Sequence, residues 1–269
     1  MAILISIAAV SAIGLICAVM LTVASKVMSV EEDERAALIR DALPGANCGA
    51  CGFAGCDGYA EALAGGDTKT NLCVPGSDAV SKQISDILGV AYAEVVERVA
   101  VCQCGGSEGI GSQKMEYSGI KTCAAAKTLY GGANACRYGC IGYGDCANVC
   151  PNGAICIEGG IARINTRLCT GCGLCARTCP NGIITTLADS VTTVVTCRSR
   201  EKGAVVRQKC SNGCIACQRC VRECPAEAIS VVDNLAVIDY EKCSGCGHCA
   251  EVCTTKCIKV ANFKGVFNA

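Results

Sequence analysis

The sequence has no tryptophan and only three phenylalanines and one histidine in 269 residues. Aromatic rings supply the largest buried areas of most cores, so a conventional apolar core is thin for this length. Neither sign of charge is in excess, since 24 basic residues meet 24 acidic ones. With no basic surplus and no basic stripe interleaved with aromatics, nucleic-acid binding is excluded. No glycine-rich phosphate loop stands between a strand and a helix; Gly105-Gly106 and Gly131-Gly132 read as turns. No nucleophile–base constellation is present, so bond-making chemistry on an organic substrate is not indicated. The single histidine, His248, lies between Cys246 and Cys249, in a segment whose cysteines complete a ligand set without it.

Charge is also missing from the N-terminus. No charged side chain precedes Lys26, and Ala2 to Ala24 form an apolar run long enough to predict a membrane-spanning helix over 1–27. The rival reading, a cleaved signal peptide, lacks a positive n-region and has too long an apolar run. Lys26 and Arg35 on the C-terminal side favour cytoplasmic placement of the remaining chain, at an inner (plasma) membrane.

Cysteine is what the sequence has in excess, with 28 of them. A disulfide framework in an oxidising compartment and a metal protein in a reducing one both accommodate that number. Spacing separates them, because C-x2-C recurs through the whole of the chain after residue 47. Metal–thiolate groups then act as core material, as staples do in small scaffolds.

Residues 31–43 predict a short helix, ended by Pro44-Gly45, and a first group comes after it: Cys48, Cys51, Cys56 and, after a gap, Cys73. Glycines 49, 52 and 55 let the backbone wrap a cluster closely; a zinc knuckle is the alternative. Apolar positions from Val80 to Val99 recur at helical spacing. An internal repeat fills the remainder. Aligning VAVCQCG…CRYGCIGYGDCANVCP with VVTCRS…KCSNGCIACQRCVRECP matches Cys102 with Cys197, Cys136 with Cys210, Cys140 with Cys214, Cys146 with Cys220 and Cys150 with Cys224. Tyr143 stands where the second copy has Cys217. Each copy is followed by a plainer motif. The expected architecture is α+β: the membrane helix, a small N-terminal [4Fe–4S] domain over 31–95, and two tandem bacterial-type ferredoxin-like modules over 96–190 and 191–269.

C-x2-C-x2-C-x3-C-P places three thiolates on one tight loop around a [4Fe–4S] cubane, and the fourth cysteine ligates the other cluster of a two-cluster unit. The motif is complete at Cys169–Pro180 and Cys214–Pro225; at Cys243–Cys253, Thr254 replaces the proline, which is not a ligand. Zinc sites use two knuckles separated by a longer loop and fit this spacing poorly. The exchange rule groups Cys214, Cys217 and Cys220 with Cys253, and Cys243, Cys246 and Cys249 with Cys224. It groups Cys169, Cys172 and Cys175 with Cys150. The last site has Cys140, Cys146 and Cys179, and Cys136 is the nearest substitute for the cysteine missing at Tyr143. Five clusters are thus expected. Cys17 reads as a small apolar residue. Cys102, Cys104, Cys123, Cys156, Cys197, Cys210 and Cys257 are either buried free thiols or hold a sixth cluster near 102–123.

The sequence resembles the B subunit of the Rnf complex, a membrane-bound ferredoxin–NAD oxidoreductase that pumps ions. The resemblance rests on the apolar N-terminus, LPGANCGACGFAGC with Cys73-x-Pro75, YGCIGYGDCANVCP and the paired cluster loops. It implies an electron-entry subunit that accepts electrons from soluble ferredoxin and passes them to membrane partners. The alternative from another class is a subunit that reduces a redox-sensing regulator. The densest basic stretch, from Arg198 to Arg222, either guides an acidic donor or balances cluster charge.

Overall fold

A computed structural model describes residues 2–27 and 33–263. Helix α1 (Ala2–Val27) occupies the apolar N-terminal run. Among the described residues no helix is long and apolar enough to cross a membrane, which corrects the expected transmembrane span. The apolar run of α1 is interrupted by Ser11, Thr22, Ser25 and Lys26.

The N-terminal domain packs three helices: α2 (Glu34–Ala42), α3 (Cys56–Ala64) and α4 (Ser77–Leu88), with a 3-10 turn at Val74–Gly76. Asp33 caps α2 by accepting the Arg35 N–H at 2.9 Å, and Pro44 ends it by disfavouring helical geometry in the residue before. Ile39, Leu43, Tyr59, Leu63, Cys73 and Ile84 form the core. Helix α4 stops at Gly89, whose φ of 66° is left-handed. The helical periodicity expected to run on to Val99 gives way here. Strand β1 (Arg98–Cys102) forms instead, because Val99 and Val101 alternate with Ala100 and Cys102 and both faces are buried.

The two repeats fold alike. The first contains α5 (Cys123–Thr128), α6 (Asp145–Asn148), β2 (Ile155–Glu158), β3 (Ile161–Ile164), α7 (Leu174–Thr178) and β4 (Ile184–Ala188). The second contains β5 (Thr193–Val195), α8 (Gly203–Lys209), α9 (Arg219–Arg222), β6 (Ile229–Val232), β7 (Leu235–Ile238), α10 (His248–Glu251) and β8 (Ile258–Val260). In each, the first strand pairs antiparallel with the last, Cys102 opposite Ile184 and Val195 opposite Ile258. The middle strands form a hairpin, Ile155 opposite Ile164 and Ile229 opposite Ile238. Both hairpins turn on two residues of positive φ, Gly159-Gly160 in one and Asp233-Asn234 in the other. Cysteines take core positions beside these strands in both modules. Val99 and Val101 of β1 meet Val194 of β5, with Ala261 and Phe263, where the modules pack together.

This strand register revises the sequence alignment. Gln103 N–H bonds the Ile183 carbonyl one step past β1, as Thr196 N–H bonds that of Cys257 one step past β5. The structural counterpart of Cys197 is therefore Cys104, not Cys102.

All four cysteine loops hold the same two positions at positive φ: Gly142 and Gly144, Gly171 and Gly173, Gly245 and Gly247, but Ala216 and Gln218. A side chain in that region costs about 1–2 kcal/mol, partly offset by the lower entropy of the unfolded chain. Ala216→Gly should therefore stabilise the protein by about 0.5–1 kcal/mol, read as a higher urea midpoint of anaerobic protein. A lowered midpoint would contradict the strain.

Candidate metal centres

In the N-terminal domain, Cys48, Cys51, Cys56 and Cys73 line one cavity of about 320 Å³. Asn47 fixes the loop by accepting the Cys56 N–H at 2.9 Å. Gly76 closes the far wall: a Cβ there would lie 2.7 Å from Val80 and 3.1 Å from Cys73 Sγ. Burial, then the charges of Cys48, Cys56 and Cys51, push the Cys73 thiol up to about 11. Such a thiol is neutral unless a metal takes the proton's place, so metal binding and the order of this site are linked.

In the first module, Cys150 joins Cys169, Cys172 and Cys175 around a cavity of about 320 Å³. The Ala154 N–H bonds Cys150 Sγ and the Ala100 N–H bonds Cys169 Sγ, both at 3.3 Å. A second cavity, about 350 Å³, is lined by Cys140, Cys146, Cys179 and Cys123. Cys136 is not among them; it lines another cavity with Cys104, Cys197 and Cys210. Cys123 reaches the site because Asp145 accepts the N–H groups of Cys123 and Ala124 at 2.9 and 3.0 Å, holding the start of α5. In return the N–H groups of Asp145 and Tyr143 address the Cys123 thiol. Cys123 thus sits over the loop position where the other repeat carries Cys217. The spacing of the motif could not show this, because Cys123 lies outside it; Tyr143 was the signal that a ligand had to arrive from elsewhere.

In the second module the fields on two buried thiols give the neighbours. Cys220 is pushed up to about 11 by burial and then by Cys214, Cys253 and Cys217. Cys249 is raised by burial and then by Cys243, Cys246 and Cys224. The Ala228 N–H bonds Cys224 Sγ at 3.4 Å, matching Ala154 and Cys150 in the first module. Cys257 lies 3.6 Å from Cys253 Sγ and lowers the Cys214 and Cys253 thiols by hydrogen bonding. His248 faces outward, with Nδ1 3.3 Å from Glu251.

These groups suit a polynuclear centre. Four thiols line each of these spaces, two or three of them from one tight loop. The donors are all sulfur, met by backbone N–H groups, as iron–sulfur ligation requires. Of the basic stretch, Arg200 pairs with Asp233 and Lys209 with Glu201, each at 2.6 Å.

Family profiles agree with this division. One described as a putative Fe–S cluster matches residues 43–75, a 4Fe–4S binding domain matches 162–185 and a 4Fe–4S dicluster domain matches 206–254. The chain is 40% identical over 256 residues to the B subunit of the ion-translocating oxidoreductase complex of Methanosarcina acetivorans, covering 95% of this chain and 97% of that one. It is 40% identical to the B subunit of the Na(+)-translocating ferredoxin:NAD(+) oxidoreductase complex of Acetobacterium woodii, over 96% of this chain and 78% of that one. The B subunit of the proton-translocating ferredoxin:NAD(+) oxidoreductase complex of Clostridium ljungdahlii is 41% identical over 92% of this chain and 88% of its own. The chain belongs to this B-subunit family of the Rnf complex. As a member it carries [4Fe–4S] clusters, which the three profiles indicate.

The Asp145 contacts generate a test. Asp145→Ala leaves two N–H groups of α5 without their acceptor and should cost about 1 kcal/mol, read as a lower urea midpoint of anaerobic protein. An unchanged midpoint would show that Asp145 does not hold Cys123 in place.

Proposed function

We propose that this chain is the iron–sulfur electron-transfer subunit of an ion-translocating ferredoxin:NAD oxidoreductase complex. Reduced ferredoxin is its donor, and partner subunits carry the electrons on toward NAD. The observation that carries the reading is the series of five cysteine quartets on one folded chain, four of them completed by a cysteine from the neighbouring loop. The clusters supply one-electron redox chemistry. The chain's own part is to hold them apart at fixed places and to aim N–H groups at the thiolates, which adjusts their potentials. Cys48, Cys51, Cys56 and Cys73 hold the first. Cys150, Cys169, Cys172 and Cys175 hold the second, and Cys123 with Cys140, Cys146 and Cys179 the third. Cys214, Cys217, Cys220 and Cys253 form one site of the second module; Cys224, Cys243, Cys246 and Cys249 form the other. Ion translocation takes place across a membrane, so the assembled complex is membrane-associated, with these domains on the cytoplasmic face where ferredoxin and NAD are available.

Anaerobically purified protein should be brown, and its visible absorption should bleach on adding reduced ferredoxin. Bleaching by dithionite but not by ferredoxin would remove ferredoxin as the donor.

Serine variants test the wiring. Cys150→Ser should alter the same spectral component as Cys172→Ser, whereas Cys179→Ser should alter the one altered by Cys123→Ser. If Cys179→Ser and Cys172→Ser damage the same component, the exchange is wrong. Tyr143→Cys restores a thiol at the position of Cys217 and should rescue the iron content of Cys123→Ser. Failure of the rescue, with the fold intact, would count against Cys123 as the substitute ligand.

A further inference from the structure

Four cysteines with no place in the motifs meet between the two modules. Cys104, Cys136, Cys197 and Cys210 line one space, whose edge is shared with Cys140 of the third quartet. We propose that they hold a sixth [4Fe–4S] cluster, shared between the modules. The inference rests on the iron–sulfur reading above and extends it to a site that neither ferredoxin module can build alone.

Three observations carry it. The first is symmetry. Cys104 and Cys197 occupy the same place in the two repeats: each follows the strand-end bond of Gln103 or Thr196, and each Sγ accepts an N–H at 3.3 Å, from Cys140 and Cys214, which are themselves counterparts. Cys136 and Cys210 are likewise equivalent, each four residues before the first cysteine of its loop. Each module therefore contributes the same two thiols, and the pairs face each other across the junction. That junction is itself hydrogen-bonded, with Gly105 N–H on the Thr196 carbonyl at 3.0 Å and Ser112 N–H on that of Lys209 at 2.9 Å.

The second is room. Glycine stands where the thiols approach. A Cβ on Gly106 would lie 3.5 Å from Cys210 Sγ and 3.7 Å from Cys104 Sγ, and one on Gly139 would lie 3.5 Å from Cys104 Sγ. Sulfurs from both modules thus surround one space, and no disulfide joins them.

The third is the hydrogen bonding. A neutral thiol is a weak acceptor, yet backbone N–H groups address three of these four sulfurs. Cys104 receives those of Cys140 and Gly106, Cys197 those of Cys214 and Ser199, and Cys210 those of Asn212 and Gly213. Donors aimed at buried sulfur are what thiolate ligands of a cluster need, and what inert buried thiols do not. The contrast lies in the same protein. Cys102, buried at the end of β1, engages the Cys140 sulfur with its own thiol and has no backbone N–H among the causes that set it; Cys156, exposed on β2, points its thiol at Glu158 at 3.3 Å.

The test is iron and acid-labile sulfide on the anaerobically purified, full-length holo-protein, with Mössbauer and EPR spectra of its oxidised and reduced states. Six clusters, about 24 iron per chain, are expected. Five clusters, about 20 iron, would overturn the proposal while leaving the function reading intact. A protein with no clusters would overturn that reading. Serine at Cys104, Cys136, Cys197 or Cys210, taken one at a time, should remove or alter the same single spectral component, with a loss of up to about four iron. Cys156→Ser should change nothing. If the four variants affect different components, or none, or if the site is found to hold zinc, the shared cluster is ruled out. Should a variant fail to fold, the wild-type count and spectra still decide between six and five.

Discussion

Backbone N–H groups directed at buried cysteine sulfur are the interaction around which the rest of this structure is arranged. A buried thiol gains little from such donors. A metal-bound thiolate gains a charge-assisted bond and escapes the desolvation that pushes the Cys146 and Cys175 thiols up to about 12. The short strands, four-residue helices and glycine turns make sense on these terms. They are too small to bury much apolar surface, but each ends where an N–H or a thiol must be placed. Helices α6, α9 and α10 all begin directly after a loop residue of positive φ, so the turn that wraps the sulfur also starts the helix that follows it.

The same interaction explains what was legible in the sequence. Ligands that come from one tight loop announce themselves by spacing, and the loops at Cys169, Cys214 and Cys243 were readable for that reason. The exchange of Cys150 and Cys179 is expected of two such loops facing each other, and Cys150 lines one space with the Cys169 loop while Cys179 lines another with Cys140 and Cys146. Cys123 was not, because its position is set by a hydrogen bond between Asp145 and the start of α5, a contact that no periodicity records. The counterpart of Cys197 was misread for a related reason: two cysteines, Cys102 and Cys104, lie two residues apart, and only strand register separates the one that packs inside from the one that reaches the junction. The helical pattern running to Val99 failed because valines spaced for a helix also alternate well enough for a strand, and β4 was there to pair with them. The span expected of α1 rested on an apolar run alone, and among the described residues no helix is long and apolar enough to cross a membrane.

The centres are also placed in sequence through the fold. The N-terminal domain rests on the first module at the Cys169 loop: the Arg177 side chain of α7 donates to the Cys48 carbonyl, and Gly171 is packed so closely under Val74 that a Cβ there would lie 2.9 Å from it. Within the first module, Cys175 contributes to the field on Cys146 of the neighbouring group; within the second, Cys249 does the same to Cys220. Neighbouring quartets are thus close enough to feel one another's charge. The N-terminal domain, the first module and the second form a contiguous series rather than separate domains on linkers.

The two modules differ most between their first strand and their first cysteine loop. The second covers that interval, from Val195 to Cys214, with little more than α8, whereas the first takes from Cys102 to Cys140. The longer segment supplies Cys104, Cys123 and Cys136, and it reaches across to the second module, where Gly111 bridges to Cys210. Loss of a loop cysteine at Tyr143 and possession of this segment therefore go together. The loop keeps the backbone of its relatives, with Gly142 and Gly144 at positive φ, but the thiol arrives from a helix anchored by Asp145. A site built this way depends on tertiary contacts that the other loops do not need, and it couples the third quartet to the junction between modules. The segment is short of apolar core, and hydrogen bonds order it: Ser112 N–H on the Lys209 carbonyl, Lys114 N–H on that of Ala133 and Ala135 N–H on that of Ser112 hold its middle. The sulfur-directed bond to Cys104 and the carboxylate-directed bonds of Asp145 hold it where the thiols are placed.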